Sequence, residues 1–250
     1  MSKFIERLQQ VLQPPVQSMG FISTKSEQAR PRIQLVVDIA NGKLKSPLKE
    51  PDKADALLVP ISAVVDGKTI SGVRLSKGDA EEVEKSIKAG VDFIILPANG
   101  EVLPSDQKIG KILQVEAAIT DILLRTVSAL PVDAVLIKEE ENGLVLTWKR
   151  LMMIHRFSSL AGKPLLIEVL PTVTDTELQQ IWEAGVSGII VKTDAEQAET
   201  VALNLRNIID KLTFPSKRKQ EKSMAIVPHI ESAPEQPKED DGDGDGDDDE

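Results

Sequence analysis

A chain of 250 residues with 41% hydrophobic content can bury one large core, while 3% aromatic content and the absence of Tyr exclude a stacking surface for nucleic-acid bases. Cysteine is absent as well, which excludes disulfides, thiolate nucleophiles and thiolate metal sites. The net charge of −10 is local: the last twenty residues hold eleven acidic residues and one Lys, so the first 230 balance at 29 of each sign and lack the basic footprint of a nucleic-acid-binding domain.

The segment 1–14 reads as a helix packing on the body of the protein. Phe4, Ile5, Leu8, Val11 and Leu12 share one side, Pro14 and Pro15 stop it, and the bottom of a barrel is the place it suits. Charges among the first ten residues fall where a signal peptide needs an apolar stretch, and no window reaches the roughly 18 apolar residues of a membrane span. A cytoplasmic protein without a membrane partner is therefore expected.

From 32 to 212 the chain alternates strand-like and helix-like segments. Four strands nearly repeat one another: Ala54-Asp-Ala-Leu-Leu-Val-Pro60, Val91-Asp-Phe-Ile-Ile-Leu-Pro97, Val132-Asp-Ala-Val-Leu-Ile-Lys138 and Val186-Ser-Gly-Ile-Ile-Val-Lys192. Four others lie between them, at 32–38, 69–75, 111–116 and 164–170. Helices are expected at 79–89, 117–129, 147–161, 175–184 and 195–212. Gly90, Gly162 and Gly185 stand where a helix stop needs a left-handed residue, and Thr174 with Glu177 makes a capping box. Trp148 and Trp182 are expected to pack on the sheet. Residues 41–53 hold Gly42, Pro47 and Pro51, so the first βα unit is irregular and carries no full helix.

Apolar strands separated by helices specify a parallel sheet covered on both faces or closed on itself. An open doubly wound sheet would carry a Gly-rich turn after its first strand, and Asn41-Gly42-Lys43 is a poor version of one. Eight strands alternating between two patterns fit a (β/α)8 TIM barrel. The run from Glu183-Ala-Gly-Val to Lys192, with a helix on each side, resembles the closing half of the aldolase-type TIM barrels, a superfamily of aldolases, phosphate-sugar enzymes and flavin oxidoreductases.

Residues 213–250 form a basic and then strongly acidic tail, expected to be disordered because so little of it is apolar. Its Asp-Gly repeat matches the opening of a calcium loop without the closing Glu or flanking helices. A solvated tail that attracts a basic partner is the preferred reading.

Barrel sites lie at the C-terminal ends of the strands. The odd strands end near Asp38, Arg74, Glu116 and Glu168, the even ones in Pro60, Pro97, Lys138 and Lys192, with Asn99 just beyond. A strand-end Lys in low dielectric is expected to hold a neutral amine able to form a Schiff base. The superfamily resemblance implies the sixth strand for that role, hence Lys138. Lys192 is the second candidate, Glu116 or Glu168 the proton-transfer group, and Arg74, Asp38 and Asn99 the contacts to a small anionic metabolite. Charges that only neutralise one another are the competing account, and would make the barrel a silent scaffold. Asp38, Glu116 and Glu168 as magnesium ligands are opposed by the cations between them.

No cofactor and no metal site are expected. The loops after strands seven and eight lack Gly, and Asp194 and Glu196 repel phosphate there. No nucleotide-binding motif appears, and His155 and His229 are too few for a histidine metal site.

Overall fold

The computed structural model describes residues 2–12, 32–39, 54–63, 70–102, 109–139 and 143–213. The irregular stretch 41–53, Pro14, His229 and the tail from 214 onward lie outside the described residues. Eight parallel strands close into a barrel in sequence order: β1 (Gln34–Ile39), β2 (Ala56–Leu58), β3 (Ser71–Arg74), β4 (Phe93–Pro97), β5 (Gly110–Glu116), β6 (Ala134–Lys138), β7 (Leu165–Val169) and β8 (Gly188–Thr193). The described helices are α1 (Lys3–Leu12), α2 (Ala80–Lys88), α3 (Asp121–Thr126), α4 (Trp148–Leu160), α5 (Asp175–Glu183) and α6 (Ala198–Ile209). None is long and apolar enough to cross a membrane.

The repeated Asp or Ser at the start of each even strand has a structural job. The backbone N–H of Asp55, Asp92, Asp133 and Ser187 donates to the carbonyl of Leu35, Ser71, Lys111 and Leu165 respectively, 2.8–2.9 Å away on the strand before. The Asp55 and Asp133 carboxylates return the bond, each accepting the N–H of that same neighbour at 2.8 Å. Asp92 differs, because its carboxylate serves α1. It accepts the Ser2 hydroxyl at 2.6 Å and the N–H groups of Lys3 and Phe4 at 2.9 Å. Those are orphan donors of a helix start, so a neighbouring strand supplies the cap.

Strand alternation then sorts the apolar residues. Outward residues such as Leu35, Val37, Ile167 and Ile189 pack with Ile154, Phe157, Ile181, Trp182 and Leu205 of the helices. Inward residues Val36, Leu58, Ile95, Ile112, Leu136, Leu166 and Ile190 form the interior, joined from below by Phe4, Ile5 and Leu8 of α1. The Phe4 ring stacks on Phe93 at 4.6 Å. Room for α1 comes from missing side chains. A Cβ on Gly110 would lie 2.6 Å from Ile5, and one on Gly188 would lie 3.0 Å from Leu8.

The helix signals operate as read, with two corrections. Thr174 and Glu177 form the reciprocal capping box, and Gly90, Gly162 and Gly185 adopt positive φ after α2, α4 and α5. The helix expected over 117–129 is shorter. β5 runs on to Glu116, Thr120 caps α3, and residues 127–129 tighten into a 3-10 turn. Trp148 does not face the sheet: it is 80% exposed, whereas Trp182 is buried. The sheet-facing stripe of α4 is Arg150, Ile154 and Phe157, and Trp148 falls on the opposite side of the helix.

Candidate functional site

The same alternation that sends Leu136 or Ile190 inward sends the residue two positions later to the mouth. Asp38, Arg74, Glu168 and Lys192 come from β1, β3, β7 and β8 and converge there. Glu168 is the hub. Its carboxylate accepts the Arg74 guanidinium at 2.7 Å through one oxygen and the Lys192 ammonium at 2.9 Å through the other. The same Arg74 nitrogen reaches Asp38 at 3.3 Å, and its other terminal nitrogen donates to Gln114 on β5 at 3.3 Å. Asp38 and Glu168 are buried, and Lys192 sits beside Asp38 in the β1–β8 register. Burial pushes the Asp38 carboxyl above its ordinary value. Arg74 opposes that rise, nearby Glu168 adds to it, and Lys192 also opposes it.

Glu116 and Lys138 stand apart from this quartet. They are register partners on β5 and β6, both exposed, and no ion pair joins either to another described residue. The buried surroundings expected for the two strand-end lysines are not found. Lys138 is exposed, and the Lys192 side chain is 41% exposed and paired with Glu168. A strand end at a barrel mouth borders solvent, and a long flexible amine reaches it. The three candidate carboxylates do not converge either: Asp38 and Glu168 turn to Arg74, while Glu116 lies at the rim. Among the described residues, no cluster of three or more His, Asp or Glu is placed to hold a metal.

Two depressions open at this rim, one of about 380 Å³ and one of about 810 Å³, and both are walled by Glu116, Ala118 and Lys138. Asn99, exposed after β4, lines the smaller with Gln114. The larger extends over the start of α4, past Glu139, Thr147, Lys149 and Arg150.

Glu139 and Arg150 were not foreseen as site residues. The Arg150 side chain is 4% exposed and that of Glu139 is 7% exposed, and Arg150 Nε lies 2.7 Å from the Glu139 carboxylate. The pair is a charge contact rather than an aligned hydrogen bond, since neither Nε nor the carboxylate oxygens have a well-directed partner. Burial pushes the Glu139 carboxyl up, against the pull of Arg150. The terminal guanidinium nitrogens of Arg150 donate to the carbonyl of Leu144 and, at 2.6 Å, to that of Glu168. Arg150 thereby ties the segment after β6 to β7. The signal was present in the sequence: an Arg on the same helical face as Ile154 and Phe157 requires a buried partner.

No protein-family profile and no curated protein matches the chain. Solved structures do. A 3-hexulose-6-phosphate synthase is similar with TM-score 0.55 at 15% identity, covering 71% of this chain and 100% of that one. Thiamine phosphate pyrophosphorylase from Pyrococcus furiosus gives TM-score 0.50 at 13% identity, covering 72% and 96%. A mutant tryptophan synthase alpha-subunit from the same hyperthermophile gives 0.50 at 11%, covering 72% and 97%. At such identities the likeness is one of fold, and the fold is that of the aldolase-type TIM barrels.

Proposed function

We propose that this aldolase-type barrel takes a small carbonyl- or carboxylate-bearing metabolite into the mouth beside Lys138 and acts on it as a lyase. One observation carries the reading: Lys138 ends β6, lines both rim depressions and has no ion pair among the described residues. Lys192 also reaches the mouth but is engaged by Glu168.

In this scheme the Lys138 amine adds to the substrate carbonyl carbon, and water leaves as the imine forms. The protonated imine accepts the electron pair of the breaking C–C bond, and the resulting enamine takes a proton at carbon before hydrolysis frees the amine. Glu116, adjacent to Lys138 across the β5–β6 register, is the proton-transfer group. Asn99 and the exposed Lys192 supply polar contacts at the edge of the mouth.

Borohydride trapping with a panel of 2-keto acids, read by intact mass, tests the scheme. An adduct that disappears in Lys138→Ala and persists in Lys192→Ala is the expected result. A second reading, a catalytically silent barrel serving as scaffold, draws on the quartet of Asp38, Arg74, Glu168 and Lys192 drawn together at the mouth. No adduct with the wild-type chain under any keto acid favours that reading.

A further inference from the structure

The rim of the barrel is electrically lopsided. After β7, the first turn of α5 carries Asp175 and Glu177, and the Glu177 side chain folds back on the N–H of the cap residue. After β8 come Asp194 and Glu196, both exposed. The first turns of α2, α3 and α6 hold acids as well. α4 reverses the pattern: its first turn has no acid, its second and third residues are Lys149 and Arg150, and it opens into the 810 Å³ depression.

The charges around that depression do not cancel. Arg150 is offset by Glu139 and Arg156 by Asp121, the latter at 2.5 Å. Lys138 and Lys149 remain against Glu116, all three exposed. Neither lysine has an ion pair among the described residues, so both ammonium groups are available to a ligand. They approach from different elements, one from β6 and one from α4, and bracket the space between. The 13-residue helix adds the positive end of its dipole on the same side.

We propose that the groove between Lys138 and the start of α4 is the anion-binding pole of the mouth. The ligand then carries an oxyanion group, carboxylate or phosphate, held by Lys149 while its carbonyl meets Lys138. The carbonyl end of this inference rests on the function proposed above, whereas the anion pole stands on the charge arrangement alone. It also displaces the anion site from the loops after β7 and β8, where four acidic residues oppose it.

Calorimetric titration of the full-length chain with inorganic phosphate and with malonate, at low ionic strength, tests the pole. Saturable binding is expected, at least tenfold weaker in Lys149→Glu and unchanged in Lys211→Glu, an equal charge change at an exposed residue beyond α6. Lys149→Glu places an acid in the first turn of α4, where the dipole favours it, so this variant keeps its fold and lost binding reports on the site. Tighter phosphate than malonate marks a phosphorylated ligand, and the reverse marks a dicarboxylate. The proposal is overturned by no saturable binding to wild type, by equal losses in both variants, or by no loss in Lys149→Glu. Anion binding without any borohydride adduct removes the lyase reading and leaves the pole. A keto-acid adduct whose yield at limiting ligand is untouched by Lys149→Glu removes the pole and leaves the lyase.

Discussion

Replacing Gly110 by Ala should strain the helix that closes the bottom of the barrel. The added Cβ would lie 2.6 Å from Ile5 Cγ1 and 2.7 Å from Ser2 Oγ, and Ile5 is only 1% exposed, so its side chain has little room to retreat. Overpacking of this kind costs about 1–3 kcal/mol. Expelling α1 instead would expose Phe4, Ile5 and Leu8, each contributing about 1.5–3 kcal/mol by burial. The clash is therefore the cheaper outcome, and α1 stays in place under strain. Ile5→Ala alone should cost about 2–5 kcal/mol, but it also removes the atom that the added Cβ would strike. The double variant should thus be less destabilised than the two single losses together, by about 1–2 kcal/mol. Urea unfolding in a Trp148→Phe background, followed by the fluorescence of buried Trp182, measures all four corners of this cycle. Additivity within about 0.5 kcal/mol would refute the packing of Ile5 over Gly110.

The ion network at the mouth makes a second prediction. Glu168→Ala leaves Arg74 and Lys192 facing Asp38 alone. Losing one partner of a buried pair costs about 3–5 kcal/mol, reduced here to about 2 kcal/mol because the two cations are 28% and 41% exposed. A shift of the urea midpoint worth less than about 0.5 kcal/mol would show that Glu168 is no hub. A third concerns Glu139. Burial raises its carboxyl above 4.5 in the folded state, so the native chain binds this proton more tightly than the unfolded chain does. Its contribution is fully present below 4.5 and falls as pH rises through the folded value. Urea midpoints across a pH series should therefore show wild type gaining on Glu139→Gln as the solution is acidified through that window. The opposite slope would mean that Arg150 outweighs burial.

Local signals carried much of the architecture. The capping box of Thr174 and Glu177, the Gly stops and the apolar strands all follow from neighbours within a few residues, and all operate as read. The mouth was legible in part. Alternation alone places Asp38, Arg74, Glu116, Lys138, Glu168 and Lys192 at strand ends, since side chains on a strand point to opposite faces in turn. It does not say which of them touch. Arg74 and Glu168 are 94 residues apart in sequence, and their 2.7 Å contact depends on closure of the barrel.

By itself, then, the sequence determined the parallel strands, the helix boundaries set by caps and glycines, and the ring of charges at the C-terminal mouth, because each depends on short-range periodicity. Tertiary structure alone decided that Asp38, Arg74, Glu168 and Lys192 close on one another while Glu116 and Lys138 stay open at the rim. It also turned Trp148 to solvent, buried Arg150 against Glu139 and recruited Asp92 to cap α1. The reason is physical: such contacts depend on barrel radius, strand register and side-chain reach between segments remote in sequence, quantities that no local pattern encodes.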